Sequence, residues 1–255
     1  MESADHRPVA IVTGASRDTG RAIGMRLARQ GYDLSLAARS EEAIGSLQQE
    51  LLDQGASALV TAVDLTLAED RRHLVSRTLD RMGRVDVLVN NASVAGLMRY
   101  SATGWAEVVH QVDLDLMAPM HLTRLVTPHM IERHSGDIVN VLAAGTGKPI
   151  GRSAPSATAE AGLDYFTRTL RKELKGSGVS TFSVTAHASS GGGTARSAVV
   201  ASQVSKAIHG TAIQTYVDRK THEVKAFPGI GEKLLGASFS SAGFNRSDRR
   251  RPANV

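Results

Sequence analysis

The sequence of 255 residues contains no cysteine. This absence excludes thiolate catalysis, cysteine-ligated zinc, iron–sulfur clusters and disulfides. No apolar run is long enough to span a bilayer, and the N-terminus lacks the basic segment and apolar stretch of a signal peptide. We therefore predict a soluble, cytoplasmic protein.

Aromatic residues are also scarce. They make up 4% of the chain, which is too few for the stacking surfaces that bind single-stranded nucleic acid. The net charge of +5 does not change this conclusion, because four arginines and one aspartate lie together in the short segment 246–255. Basic, proline-containing chain ends are commonly solvated. We predict a disordered tail at 246–255 and no nucleic-acid or membrane partner.

Short apolar runs alternate with longer amphipathic segments along most of the chain. The short runs are predicted strands, at 9–13, 33–38, 58–63, 85–90, 138–142, 181–186 and, at an edge, 224–227. The longer segments are predicted helices, at 21–30, 41–54, 68–82, 158–174, 199–209 and 106–134, the last bent or broken at Pro119 and Pro128. Apolar strands linked by helices are typical of a parallel sheet that is covered on both faces. The sequence therefore predicts an α/β fold in a single domain over 1–245.

The first predicted strand ends in a glycine turn that leads into a helix. The turn runs Thr13-Gly14-Ala15-Ser16-Arg17-Asp18-Thr19-Gly20, and such a turn directs backbone N–H groups and a helix dipole at a pyrophosphate. Further along come Val63-Asp64-Leu65, Asn90-Asn91-Ala92 and Leu116-Met117-Ala118-Pro119. In this order and spacing the motifs resemble the short-chain dehydrogenase/reductase family over about residues 8–190. The resemblance implies a doubly wound Rossmann sheet of about seven strands and assembly as a homodimer or homotetramer.

The resemblance also implies a set of cofactor-binding residues. Ser16, Arg17 and Arg39 match positions that hold the 2′-phosphate of NADPH, and no acidic residue stands at the end of the second strand to bind a ribose hydroxyl. The remaining matches form the phosphate turn, the adenine pocket and the segment under the ribose: Gly14, Gly20, Asp64, Leu65, Asn90 and Ala92. NADP(H) is thus the expected cofactor if a nucleotide binds. The alternative is that both arginines are solvated surface residues.

The residues that carry the family's redox chemistry are replaced. Alignment on Ala161-Gly162-Leu163 places the tyrosine at Ser156, the lysine at Glu160 and the serine at Ala143, and alignment on Leu116–Pro119 places the asparagine at Asp113. Ser156 is a far weaker acid than a phenol, and Glu160 reverses the charge that would lower its pKa. Asp18 stands at the second turn glycine, where its charge opposes a pyrophosphate.

These replacements suggest a different chemistry at the same place. Asp18, Asp113, Ser156, Glu160 and His187 are the catalytic candidates, for acid–base steps that need no cofactor. The hypothesis is a cyclisation, isomerisation or dehydration of a small biosynthetic metabolite, and an acidic cleft favours a cationic or amine-bearing substrate.

Two alternatives remain open. One is an NADPH-dependent oxidoreductase with a non-standard active site, and the other is a catalytically silent subunit that pairs with an active relative in a heteromer. The candidate residues also have plain structural interpretations, as solvated carboxylates, a helix cap at Asp113 and a loop histidine at His187. The histidines show no metal-ligand spacing, so no metal site is predicted.

Overall fold

The computed structural model describes residues 7–16, 18–94, 99–143, 154–186, 193–209, 215–217 and 224–226. Three sequence-based predictions fall elsewhere: Arg17, His187 and the tail at 246–255 lie outside the described residues.

Helices and strands alternate along the chain, as the apolar pattern predicts. The strands are β1 (Val9–Thr13), β2 (Asp33–Ala38), β3 (Ala58–Ala62), β4 (Val87–Asn90), β5 (Gly136–Ala143), β6 (Val179–Ala186), β7 (Thr215–Val217) and β8 (Val224–Ala226). The helices are α1 (Asp18–Arg29), α2 (Gly45–Asp53), α3 (Ala68–Met82), α4 (Trp105–Val112), α5 (Ala118–Glu132), α6 (Ala154–Glu173) and α7 (Gly193–Ile208). A short 3₁₀ helix spans Tyr100–Ala102, and a π-helical turn spans Asp113–Met117.

Six parallel strands form the central sheet in the order β3-β2-β1-β4-β5-β6. The chain moves outward from β1 to β3 and then returns to pair β4 with the other side of β1. This reversal opens a crevice at the carboxyl ends of β1 and β4, where ligands bind in sheets of this type. The fold class predicted from the sequence, a doubly wound Rossmann-type sheet, is confirmed, with six strands of the central sheet among the described residues.

Apolar side chains cover both faces of the sheet. One cluster packs α1, α2 and α7 against it, and the other packs α3 and α5 against the opposite face. Residues on the strands that lie in the centre, such as Ile11 and Leu88, are fully buried. Burial on both faces explains why these strands appear in the sequence as continuous apolar runs.

The predicted long helix at 106–134 is divided before its first proline. Helix α4 ends at Val112, the π-helical turn follows without a break in the helical backbone, and Pro119 lies in the first turn of α5. Pro128 lies inside α5, which continues through it. The predicted edge strand at 224–227 pairs antiparallel with β7 and does not join the central sheet.

Among the helices that the structure describes, none is long and apolar enough to cross a bilayer.

Candidate active site

The glycine turn between β1 and α1 is clamped to the segment that follows β4. The Thr13 hydroxyl accepts the backbone N–H groups of Asn91 (2.9 Å) and Ala92 (3.0 Å), and the Asn91 amide donates to the Thr13 carbonyl (3.0 Å). Gly14 has a φ of +64°, and a Cβ there would lie 2.9 Å from the Ala92 Cα. A Cβ on Gly20 would lie 2.1 Å from the Gly14 carbonyl oxygen. Both predicted turn glycines are therefore required by close backbone packing.

Asp18 occupies a backbone position that favours glycine. Its φ is +48°, in the left-handed region that costs most side chains about 1–2 kcal/mol and that Asp and Asn tolerate best. Asp18 is the first residue of α1, and its side chain is exposed. A carboxylate there stabilises the helix through its favourable interaction with the helix dipole, and it repels an anion that binds at the same end.

The predicted adenosine-side residues gather at the carboxyl ends of β2, β3 and β4. Arg39 is exposed directly after β2, and Leu65 is buried after β3. Asp64 accepts hydrogen bonds from the Thr66 N–H (2.9 Å) and hydroxyl (2.7 Å), and these bonds hold the pKa of the Asp64 carboxyl below its usual value. The charge of Arg39 adds to this lowering. The structure thus places the basic side chain of Arg39 near the Asp64 carboxylate at this end of the sheet.

A cleft opens between the sheet, α6 and the π-helical turn. We call it the acidic cleft and define it by its lining residues: Asn90, Ala92, Ser93, Asp115, Pro119, Val141, Leu142, Glu160 and Leu163. Among these described lining residues none is basic. Of the predicted site residues, the cleft brings Glu160, Asn90 and Ala92 together.

Asp115, and not Asp113, supplies the second carboxyl of the acidic cleft. Asp115 is 6% exposed, and its Oδ1 accepts the Val94 N–H at 3.0 Å. Asp113 is half-buried, and its charge acts on Arg71 of α3. Two residues apart on a helix point in widely different directions, so only one of the pair can face the cleft. The prediction for Asp113 is corrected to Asp115, because Asp115 lines the cleft and the charge of Asp113 acts on Arg71.

Burial controls the protonation of Asp115. It raises the pKa of this carboxyl to about 6, although the Ser156 hydroxyl, the Gln111 amide and the Val94 N–H all favour the charged form. Its Oδ2 is buried and meets no hydrogen-bond donor in good geometry among the described residues. Asp115 can therefore hold or release a proton near neutral pH.

Ser156 lies beside both carboxyl groups. Its hydroxyl is 3.5 Å from Glu160 Oε1, one helical turn further along α6, and it also faces Asp115. Glu160 is 8% exposed. The predicted pair Ser156 and Glu160 is thus brought together in the cleft, as an i, i+4 pair on the inner face of α6.

A directional hydrogen-bond chain, which the sequence did not suggest, ends in the cleft. The Thr167 hydroxyl donates to the Leu163 carbonyl (2.6 Å) and so accepts from the Asn140 amide (2.8 Å). Asn140 Oδ1 in turn accepts from Asn90 Nδ2 (2.8 Å). This polarity leaves Asn90 Oδ1 as an acceptor, and among the described residues no donor satisfies it.

The carboxyl groups of the cleft disfavour negatively charged ligand atoms and favour positively charged ones. A unit charge about 4 Å from a carboxylate interacts with it by about 4 kcal/mol at an effective dielectric constant near 20. Negative charge that develops on a ligand oxygen is opposed by this amount, and positive charge on a nitrogen is stabilised by it. Within the described part of the chain, no group of three or more histidine, aspartate or glutamate side chains could hold a metal ion.

Known proteins share this architecture. The family model for short chain dehydrogenase matches residues 8–200. A 3-oxoacyl-[acyl-carrier-protein] reductase of Synechocystis is 35% identical over 182 residues, 69% of this chain and 72% of the relative. The corresponding reductase of Staphylococcus epidermidis is 30% identical over 181 residues, 69% of this chain and 72% of its own length. A metagenomic short-chain oxidoreductase solved in complex with NADP is 28% identical, covers 78% of this chain and 89% of its own, and has a TM-score of 0.73.

These relatives overturn the non-redox hypothesis. They are named as reductases and oxidoreductases, so they point to hydride chemistry and not to the cyclisation, isomerisation or dehydration predicted from the altered residues. The prediction gave the replaced residues more weight than the glycine turn and the other motifs of the family, which the sequence also contains. His187 and the predicted oligomer stay predictions. With a family match that extends over most of its length, the chain belongs to the short-chain dehydrogenase family.

Proposed function

We propose that this chain is an NADP(H)-dependent oxidoreductase with a non-standard reaction centre. In this centre Ser156, Glu160, Ala143 and Asp115 stand in place of the family's tyrosine, lysine, serine and asparagine. The observation that carries the proposal is the glycine turn, which joins the carboxyl end of β1 to the N-terminus of α1 at the crevice of the sheet. The NADP-bound relative supports the choice of cofactor.

The residues that follow β2 and β3 fit the adenosine half of this cofactor. Arg39 is exposed and able to pair with a 2′-phosphate, and Asp64 and Leu65 border the adenine position. Gly14, Gly20 and the N-terminus of α1 would receive the pyrophosphate. When bound, the reduced nicotinamide supplies a hydride.

The chain's own residues then handle the proton. Asp115 is the proton donor in this proposal, because burial raises its pKa to about 6 and keeps part of the population protonated near neutral pH. Ser156 lies between the Asp115 and Glu160 carboxyl groups and orients them. Asp18 and Asp113 have no part in the proton transfer, since Asp18 is exposed and Asp113 faces Arg71.

The first test measures cofactor choice. Titration of the protein with NADPH and NADH, followed by nicotinamide fluorescence, should show tighter binding of NADPH by about tenfold or more, the worth of one charge-assisted contact. Arg39→Ala should remove this preference, and Arg29→Ala, an exposed arginine at the far end of α1, should keep it. Equal binding of both nucleotides to the parent protein would refute the assignment of Arg39.

The second test measures hydride transfer. NADPH deuterated at the nicotinamide C4 is incubated with a panel of compounds that contain polarised double bonds, and deuterium in the product is detected by mass spectrometry. Asp115→Asn should slow transfer by about 10²–10⁴-fold at unchanged NADPH affinity, as expected for loss of a proton donor. Asp137→Asn is the matched control, because Asp137 is also a half-buried carboxyl whose pKa burial raises to about 6, but it lies at the amino ends of the strands. NADPH binding without transfer to any compound would favour the silent-subunit alternative.

A further inference from the structure

Two buried acceptor atoms belong to residues that line the acidic cleft and meet no donor in good geometry among the described residues. One is Oδ1 of Asn90, a residue 3% exposed, whose amide orientation is fixed by the chain through Asn140 and Thr167 to the Leu163 carbonyl. Asp115 Oδ2 is a second buried acceptor that meets no donor in good geometry among the described residues. Buried acceptors without donors are costly, so a ligand that fits this cleft brings donors.

A carbonyl oxygen does not meet this requirement. It accepts hydrogen bonds, so it leaves Asn90 Oδ1 without a donor, and the negative charge that it gains as hydride adds to its carbon conflicts with the Glu160 carboxyl group. A protonated imine nitrogen carries an N–H donor and a positive charge. Its charge also activates the carbon, so the cation beside a phenol that assists carbonyl reduction is not needed.

We propose that the acidic cleft binds compounds with a cationic nitrogen, and that the double bond reduced there is the C=N bond of an imine. This inference rests on the proposed function for its reductant, NADPH. Asp115 and Asn90 are the substrate-binding residues in this proposal, and Glu160 adds negative charge beside them.

Reduction of an imine in this cleft takes one proton from Asp115 and one hydride from NADPH in each turnover. The imine nitrogen takes a proton from the Asp115 carboxyl, and the resulting iminium is held by the carboxylate and by Asn90 Oδ1. A hydride with its electron pair, supplied by NADPH, forms the new C–H bond, and the C=N π pair becomes the lone pair of the amine nitrogen. The imine carbon is reduced, the nicotinamide is oxidised to NADP⁺, and Asp115 regains a proton from water.

The binding arm of the test needs no cofactor. Calorimetric titration with benzylamine, benzyl alcohol and benzoate compares a cation, a neutral isostere and an anion of similar size. Benzylamine should bind about tenfold or more tightly than benzyl alcohol, and benzoate should bind weakest. Asp115→Asn and Glu160→Gln should each reduce the preference for the amine, while Asp137→Asn keeps it. Equal binding of amine and alcohol, or tighter binding of benzoate, would overturn the inference.

The turnover arm separates this inference from the proposed function. The cyclic imine 2-phenyl-1-pyrroline and the ketone acetophenone are each offered with deuterated NADPH. Deuterium in the amine, at a kcat/KM about tenfold or more above that for the ketone, supports both proposals. Deuterium in the alcohol with no preference for amines in the binding arm keeps the oxidoreductase and refutes the imine. Failure of NADPH to bind refutes both.

Discussion

Asp18 should weaken the binding of NADP(H) through its charge. Asp18→Asn removes the carboxylate and keeps a side chain that tolerates the φ of +48° equally well. The side chain is exposed, so an effective dielectric constant of about 40–80 applies, and a charge about 6 Å away then contributes ~0.7–1.4 kcal/mol. With two charges on the pyrophosphate, the expected gain is about 1.4–2.8 kcal/mol, or about 10–100-fold in the dissociation constant for NADPH.

Two further signatures identify the cause as electrostatic. The gain should shrink at high salt, because exposed charges are screened over about 10 Å at 0.1 M ionic strength and about 3 Å at 1 M. The free energy of unfolding should change in the opposite direction, falling by about 0.3–1 kcal/mol, since Asp18 stabilises the N-terminus of α1. Nicotinamide fluorescence titrations at both salt concentrations and urea unfolding measure these effects. Asp80→Asn, at an exposed carboxylate on α3, is the control for net charge. Unchanged NADPH affinity at low salt would refute the argument.

Two more predictions concern stability. Because burial raises the folded-state pKa of Asp115 to about 6, the folded state binds more protons than the unfolded chain, and stability is lost as pH rises from about 4 to about 6. Asp115→Asn removes this loss, so urea unfolding at about pH 7 should find the variant more stable than the parent by up to ~3 kcal/mol, with little difference at about pH 4. An equal difference at both pH values would contradict the assigned protonation. Gly20→Ala places a Cβ 2.1 Å from a backbone oxygen and should cost about 3 kcal/mol, whereas Gly45→Ala, which meets no atom within 4 Å, should stay within about 1 kcal/mol of the parent. A small effect of Gly20→Ala would show that the turn can relax.

The parallel sheet and the glycine turn after β1 were predictable from the sequence. Strands that are buried on both faces appear as continuous apolar runs. The turn glycines are required by close backbone packing. Both features can therefore be recognised in short stretches of sequence. Glu160 and Ser156 were predictable because a regular helix brings positions i and i+4 to one face.

The identity of the second carboxyl was not predictable in the same way. Asp113 and Asp115 carry the same side chain and lie two positions apart. Both lie in the π-helical turn, and their residue types do not indicate which of them lines the cleft. The acceptor at Asn90 depends on Asn140 and Thr167, which are 50 and 77 positions away and meet it only through strand pairing and helix packing. Long-range contacts of this kind determine that Asn90 is left with an acceptor atom and not with a donor.

The π-helical turn at Asp113–Met117 makes the cleft sensitive to chain length rather than to composition. Such a turn holds one residue more than the α-helical path it replaces, and each residue of an α-helix advances the chain by about 100°. Removing one residue there would restore an unbroken helix and turn Asp115 away from Asn90, with every side chain of the cleft still encoded. Deletion of a single codon in this turn would thus remove one of the two carboxyl groups from the cleft and leave Glu160 and Asn90 in place.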